Sequence, residues 1–335
     1  MTQASQDPRY DVIAIGNAVV DVIASCEEEL IEELDLNRGG MTLVDEARAD
    51  ELYGAMPPAR ELSGGSAANT LAGLSTLGLQ CAFIGQVADD QLGKVFRHDM
   101  RATGIDFDTP ARAGEPATGR VLIFVTPDGE RTMNTFLGAG QFLPAAALDE
   151  ELIASGAILY LEGYLWDPEE PRRAMRRAIE VARAAGRKIA FTASESFVID
   201  RHGDDFRAMM EDGVIDILFV NEHELATLTG EDDFDKGVEM VAAKVPVLVA
   251  TRSEKGAIAV ANGTRAEVAA EPIAKVVDTT GAGDQFAAGF LAGHARGEGL
   301  KRCLERGAIA AAEVISHYGP RPEVDMKALM AEKLG

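Results

Sequence analysis

The chain has 335 residues, is 47% hydrophobic, and carries a formal net charge of -23 from 55 acidic against 32 basic side chains. Such a length supports a large buried core, with one large domain plus a small one as the natural expectation, and the apolar content excludes general disorder. The acidic balance argues against a nucleic-acid partner, because a phosphate backbone needs a basic surface, and no apolar run approaches the roughly 20 residues that span a bilayer.

The start, Met1 to Pro8, has neither a basic region nor an apolar core. No secretory signal is expected there, and the expected compartment is the cytoplasm. Val12 to Ile15 is the first apolar, β-rich run. It is followed by Gly16-Asn17-Ala18-Val19-Val20-Asp21, without the Gly-x-Gly-x-x-Gly of a dinucleotide site. Val19 to Ala24 and Gly40 to Val44 read as short extended runs, and Asp21 is an acid inside an apolar stretch. An unpaired buried carboxylate is costly, and vicinal hydroxyls of a sugar would satisfy it.

Ser63-Gly64-Gly65-Ser66-Ala67-Ala68-Asn69-Thr70 opens a helix predicted over Ser66 to Leu77, followed by a strand at Cys81 to Ile84 and a helix at Gln91 to Thr103. Arg120 to Phe136 reads as a hairpin around the turn Thr126 to Glu130, and Gly138-Ala139-Gly140 follows it. Further strands are predicted at Ile158 to Leu161, Ile189 to Thr192, Ile217 to Val220 and Val247 to Thr251, with helices at Pro171 to Ala185 and Phe206 to Asp212. Short apolar strands alternating with amphipathic helices signal an α/β protein with a mostly parallel sheet covered on both faces. Ligands then belong at the carboxyl ends of the strands. The two hairpin regions stand outside this alternation. Paired glycines at Gly64-Gly65 and at Gly138 to Gly140 suit hinges between them and the main sheet.

After an extended run, Ala274 to Val277, comes Asp278-Thr279-Thr280-Gly281-Ala282-Gly283-Asp284, and then a small, apolar helical run from Gln285 to Ala295. A glycine-rich turn opening a helix presents free N–H groups and the positive end of the helix dipole, an anion trap. Asp284 lies inside it. A carboxylate beside a phosphate-sized hole is suited to take a proton from an attacking hydroxyl while Gly281, Ala282 and Gly283 hold the developing charge. At its ordinary pKa, about 4, that carboxylate would be ionised at neutral pH. Ala308 to Ala312 is a good helix former, and a C-terminal helix is expected within Pro322 to Gly335.

Other designs are absent. There is no Gly-x-x-x-x-Gly-Lys-Ser/Thr, and no His-Arg-Asp or Asp-Phe-Gly. Cys26, Cys81 and Cys303 read as reduced core residues, and the five histidines have no metal-ligand spacing.

Three motifs in order, Ser63 to Thr70, Asn221-Glu222-His223-Glu224 and Asp278 to Asp284, resemble the ribokinase-like, or phosphofructokinase-B, family of sugar and nucleoside kinases. The resemblance runs from Asp11 to about Pro322. It implies a three-layer α/β fold spanning 1–335 as one kinase domain, with a small β-sheet lid formed by about 17–46 and 107–138. It implies Asp284 as general base, with Asn17, Asp21, Gly64, Gly65, Asn69 and Phe136 toward the substrate. Phe124, Phe136 and Leu137 are stacking candidates, and packing in the lid core accounts for them equally well. ATP contacts fall on Asn221, Thr251, Gly256, Thr280, Gly281 and Gly283. Glu224 would hold Mg2+ through water, and Asp278 would belong, with Thr280 and the Ser316 to Gly319 region, to a monovalent-cation (K+) site built largely from backbone carbonyls. The nucleotide loop Thr251 to Gly256 departs from the family pattern, with Ser253 in place of a glycine. Arg131 either reaches the phosphates or is a solvated hairpin side chain.

The Gly64 to Thr70 and Arg131 to Gly138 stretches look closest to adenosine-kinase-like members. The first expectation is therefore ATP-dependent phosphorylation of a ribonucleoside 5′-hydroxyl, and the second a ribose or fructose kinase. A non-catalytic sensor on the same fold is the reading from another class. The expected partners are a small-molecule nucleoside or sugar, with no nucleic acid and no membrane, and the chain is expected to be a monomer or homodimer.

Overall fold

The computed structural model describes residues 7–335, so the absence of a leader, read from Met1 onward, lies almost wholly outside the described residues. In chain order the strands are β1 (Tyr10–Ile15), β2 (Val19–Ser25), β3 (Met41–Leu43), β4 (Arg60–Gly64), β5 (Cys81–Ile84), β6 (Ile105–Asp106), β7 (Gly119–Val125), β8 (Arg131–Phe136), β9 (Gly156–Glu162), β10 (Lys188–Thr192), β11 (Ile217–Asn221), β12 (Val247–Thr251), β13 (Ala257–Ala261) and β14 (Thr264–Val268). The large sheet has the order β14-β13-β12-β11-β10-β9-β1-β5-β6. From β6 across to β12 every neighbouring pair is parallel, and β13 and β14 close one edge antiparallel.

The alternation of β1 shows why this sheet needs two helical layers. Val12 and Ala14 join one core with residues of the Ser66–Thr76, Ala282–Ala295 and Leu300–Val314 helices. Ile13 and Ile15 join the other, with residues of the Glu169–Ala184 and Ser196–Glu211 helices. All four are fully buried. A strand covered on both faces reads as an unbroken apolar run, which is the signal these strands carry. β1 also lies between β9 and β5, so the chain departs to opposite sides of it. That is a topological switch point, and the crevice outside the carboxyl ends of β1 and β9 is the expected ligand site.

Two expectations differ from the structure. The helix expected at Phe206 to Asp212 is only the end of Ser196–Glu211. Ala274 to Val277 forms no strand; Val277 N–H instead donates to Ile315 O at 2.8 Å, docking the run on a helix end rather than a sheet edge.

The small sheet has the order β3-β8-β7-β2-β4, and the expected hairpin is its β7–β8 pair, with Ile123 opposite Met133. It also takes in β4, outside the 17–46 and 107–138 boundaries expected for a lid. Val20, Val22, Leu122 and Phe124 face a core shared with Ala49 and Leu52 of the Glu46–Ala55 helix. Val19, Asp21, Val121, Ile123, Met133 and Thr135 face a cavity between the two sheets. Among the described residues, no helix is long and apolar enough to cross a membrane. Cys26, Cys81 and Cys303 are buried free thiols.

Candidate active site

The cavity measures about 610 Å3 and lies at the carboxyl ends of the large sheet, under the small one. Of the sequence-nominated residues, Asn17, Asp21, Gly65, Asn69, Asn221, Glu224, Thr251, Thr280, Gly281, Ala282, Gly283 and Asp284 line it. Gly64, Phe136, Gly256 and Asp278 do not.

Asp284 sits in the first turn of the Ala282–Ala295 helix, whose N-cap Gly281 has φ +77°. That left-handed backbone favours glycine, and a Cβ there would come within 2.7 Å of Pro320. The Ala282 N–H turns back to Thr279 O at 3.2 Å, whereas among the described residues no protein acceptor meets the Gly281 and Gly283 N–H groups. Ser66 Oγ donates to Asp284 Oδ1 at 2.6 Å, and Asn69 Nδ2 donates to Oδ2 at 3.3 Å. The carboxyl does not keep its ordinary value. Burial in the recess pushes it up to about 6, against the Ser66 and Asn69 donors and the Arg321 charge.

Asp21 projects from β2 across the same cavity and is buried. Among the described residues no donor hydrogen-bonds its carboxylate, and burial pushes it up to about 6, with Arg321 and Arg131 pulling the other way. Gly64 works beneath it: a Cβ on Gly64 would collide with the carboxylate. Gly65, at φ +100°, packs its bare Cα on Asn17 O. The pair is thus fixed by close approach in this structure. Asn17 N and Nδ2 both donate to Glu162 Oε1, at 2.6 and 2.7 Å, and Ala67 N donates to Oε2 at 2.8 Å. Glu162 is fully buried, and desolvation raises it to about 7 despite these donors. It fastens the ends of β1 and β9 to the Ser66–Thr76 helix.

Phe136 stands on the other side of β8 from Met133 and Thr135, under the Arg120 guanidinium at 5.7 Å. Strand alternation puts it there, and Phe124 is likewise a core residue. Leu137 does line the cavity, and the aromatic lining is Tyr164, Phe197, Phe219 and Phe286.

At the far end, Asn221 caps the Glu222–Thr229 helix in a reciprocal box with Glu224. Asn221 Oδ1 accepts from Glu224 N at 2.9 Å, and Glu224 Oε2 accepts from Asn221 N at 3.0 Å. Burial and the nearby Glu195 charge raise the Glu224 carboxyl to about 7. Among the described residues no three His, Cys, Asp or Glu side chains gather as a metal cluster. Glu224, with Glu195 nearby on the cavity wall, suits a magnesium ion that arrives with phosphates and keeps its waters. Ser253 has φ +49°, so it adopts the backbone that a glycine would favour at that position. Gly256 serves the loop, its Cα pressed on Val268 O.

Asp278 is engaged by protein groups. Its carboxylate accepts from Thr280 N at 3.0 Å, from Gly319 N at 2.9 Å and from the Arg131 guanidinium. A side-chain seat for a monovalent cation is therefore filled by Arg131, which is buried rather than solvated.

Glu162, Ser66, Gln285 and Arg321 were not among the nominated site residues. Glu162 ends an apolar strand, as Asn17 follows one, and that placement was its signal. Gln285 Nε2 donates to Asn69 O at 2.9 Å and Pro320 O at 3.0 Å, and nothing in its local sequence announces this.

The comparisons agree with this architecture. The family model for pfkB family carbohydrate kinases matches residues 41–326. The adenosine kinase from Sinorhizobium meliloti is 44% identical, with a TM-score of 0.89, over 97% of this chain and 99% of that one. A probable sugar kinase from Rhizobium etli CFN 42 is 41% identical, with a TM-score of 0.89, over 97% and 98%. A fructokinase of Klebsiella pneumoniae is 29% identical over 69% of this chain and 76% of its own. The chain belongs to the pfkB family of carbohydrate kinases, ATP-dependent enzymes whose acceptor is a hydroxyl group of a sugar or nucleoside.

Proposed function

We propose that the protein is a nucleoside kinase that transfers the γ-phosphoryl group of ATP to the 5′-hydroxyl of an adenosine-like ribonucleoside. The observation that carries this is the pairing of two recessed carboxyls in one cavity, Asp284 at the helix start and Asp21 on the small sheet. Asp21, without a protein donor, is the acceptor for two vicinal ribose hydroxyls. Asn17 and Asn69 flank it. Asp284 takes the proton of the 5′-hydroxyl as its oxygen bonds the γ-phosphorus and the bond to the ADP oxygen breaks. A base titrating near 6 is ionised at neutral pH and close enough to it to accept a proton effectively. The free Gly281 and Gly283 N–H groups face the charge on the transferring group. Magnesium supplies charge neutralisation on the phosphates when bound, and Glu224 is the carboxylate that would hold it through water.

The apolar floor formed by Val121, Ile123, Met133 and Leu137 supports a nucleoside, since a sugar alone has no use for so large a hydrophobic surface. The similarity to the Sinorhizobium meliloti adenosine kinase points the same way. The second reading, a furanose kinase, draws on the fructokinase and probable sugar kinase relatives. ADP production across adenosine, inosine, guanosine, cytidine, ribose and fructose decides between them. Adenosine is expected to give the highest kcat/KM, and preference for a free sugar would overturn the nucleoside assignment.

A further inference from the structure

Pro320 and Arg321, just past the Ser316 to Gly319 region, belong to no motif read from the sequence, yet they close the back of the site. Pro320 packs on the Gly281 Cα, and its carbonyl accepts from Gln285 Nε2 at 3.0 Å. Arg321 Nε donates to Asn69 Oδ1 at 3.2 Å, and Nη1 lies 3.8 Å from Asp99 Oδ2. Asp99 in turn accepts from Ser63 N at 2.8 Å, at the end of β4. Arg321 Nη2 is buried and has no hydrogen-bond partner among the described residues.

An amide side chain can face either way, and its neighbours decide. Arginine only donates, so Arg321 requires the Asn69 oxygen on its side. That leaves Nδ2 for Asp284, which as a carboxylate only accepts. A swapped amide would set donor against donor and acceptor against acceptor. We propose that Arg321 is a positioning residue for phosphoryl transfer: it locks the Asn69 amide toward Asp284 and supplies the cation shared by Asp284 and Asp21. This rests on the reading of Asp284 as the base.

The surroundings make such a cation necessary. Asp284 has Asp21 of β2, Tyr160 and Glu162 of β9, and Tyr164 beyond that strand within its electrostatic reach, and Arg321 is the positive charge acting on it. Asp21 feels Arg321 most among its charged neighbours, then Arg131, with Asp284 and Asp278 opposing. Several acids share one recess. Burial already raises Asp284, and Arg321 is the charge that opposes it, so loss of Arg321 would leave a larger share of Asp284 protonated, and a protonated Asp284 is no base.

The test uses the full chain without ligand, labelled with 15N-asparagine and 13C-aspartate. The Asn69 amide and Asp284 carboxyl signals are assigned by their loss in Asn69→Ala and Asp284→Asn. Arg321→Met is expected to shift the Asn69 amide pair, speed its hydrogen exchange, and raise the Asp284 titration by about one pH unit. Arg321→Lys keeps the charge and is also donor-only, so it restores the titration and keeps the Asn69 oxygen turned toward residue 321. In turnover, the acid limb of kcat/KM moves upward with Arg321→Met, and the acceptor KM rises while the ATP KM does not. An unchanged amide and an unchanged titration in Arg321→Met overturn the proposal. If that variant does not fold, Arg321→Gln is read in its place, and an unchanged amide and an unchanged titration there overturn the proposal. The resonance measurements need no turnover, so an enzyme inactive on every nucleoside would sink the functional reading and still leave Arg321 decided.

Discussion

Arg131 and Asp278 form an ion pair with side chains only 7% and 4% exposed. Arg131 Nη1 also donates to Thr280 Oγ1 at 3.0 Å, so β8 of the small sheet is fastened to the start of the glycine turn. The other two guanidinium nitrogens, Nε and Nη2, are buried and have no hydrogen-bond partner among the described residues. A side chain expected at the tip of a solvated hairpin is thus a latch between the two sheets. The small sheet that covers the cavity is tied through it to Asp278 and Thr280, at the start of the glycine turn.

Arg131→Met would leave the Asp278 carboxylate buried beside two backbone donors but without its cation. Removing one partner of a buried pair costs about 3–5 kcal/mol. The loss should be local, with faster amide exchange across 119–136 and little change in the large sheet. Hydrogen exchange read by mass spectrometry checks this. Identical exchange in variant and wild type would mean that the pair does not hold the small sheet down.

Asp284→Asn should lower turnover by about 10²–10⁴-fold, the usual worth of a general base. The fold should survive, because an asparagine oxygen can still accept from Ser66 Oγ. In the wild type, kcat/KM should fall as pH drops through about 6, since the ionised carboxyl is the active form and burial has raised it to that value. A stopped assay across pH 5 to 8, with melting temperatures in parallel, reads both effects. Near-wild-type turnover in a folded variant would falsify the role of Asp284.

The parts legible in the sequence are those with a local cause. Cys81 to Ile84 and Val247 to Thr251 announce themselves as apolar runs because helices cover both of their faces. The Gly281 to Asp284 turn is legible because a left-handed N-cap needs glycine and the helix it opens follows directly in sequence. β13 and β14 are missing from the sequence expectations, although Asn262-Gly263, at φ +49° and +73°, carries a strong hairpin signal. Phe136 was misplaced by weighing its ring over its register: the period of two sets it opposite to Thr135. Arg321 and Asn69 are 252 positions apart. Gln285 meets Asn69 and Pro320 only after the sheet has brought their helix and strap together, and no window of sequence contains that contact.

Asp21→Asn should weaken substrate use and strengthen the unliganded fold. Burial raises this carboxyl from 3.8 to about 6, so its ionisation above pH 6 costs the fold roughly 3 kcal/mol. The sign follows from the raised value: Asp21 favours folding below its unfolded pKa, and that contribution is lost as pH rises through about 6. The asparagine variant should therefore melt higher than the wild type at pH 8, with the difference shrinking toward pH 4. Its acceptor KM should rise sharply while its ATP KM changes little, and 2′-deoxyadenosine should be a poor substrate for the wild type. Equal catalytic efficiency for adenosine and 2′-deoxyadenosine would remove the vicinal-hydroxyl contact.

Glu224→Gln isolates a charge without dismantling the helix that bears it. Glutamine at this third helical position can still close the capping box by accepting from Asn221 N at Oε1, so the Asn221 cap should remain. What disappears is the negative charge facing the cavity. Glu224 is raised to about 7 by burial and by Glu195, a repulsion that a bound divalent cation would relieve. In the free enzyme the glutamine variant should be at least as stable as the wild type at pH 8, where the wild-type carboxylate is ionised. During turnover it should need several-fold more Mg2+ to reach half-maximal rate, with acceptor KM little changed. Magnesium titrations of the two proteins at saturating ATP and acceptor measure this directly. Superimposable curves would place the metal elsewhere and leave Glu224 as a helix cap alone.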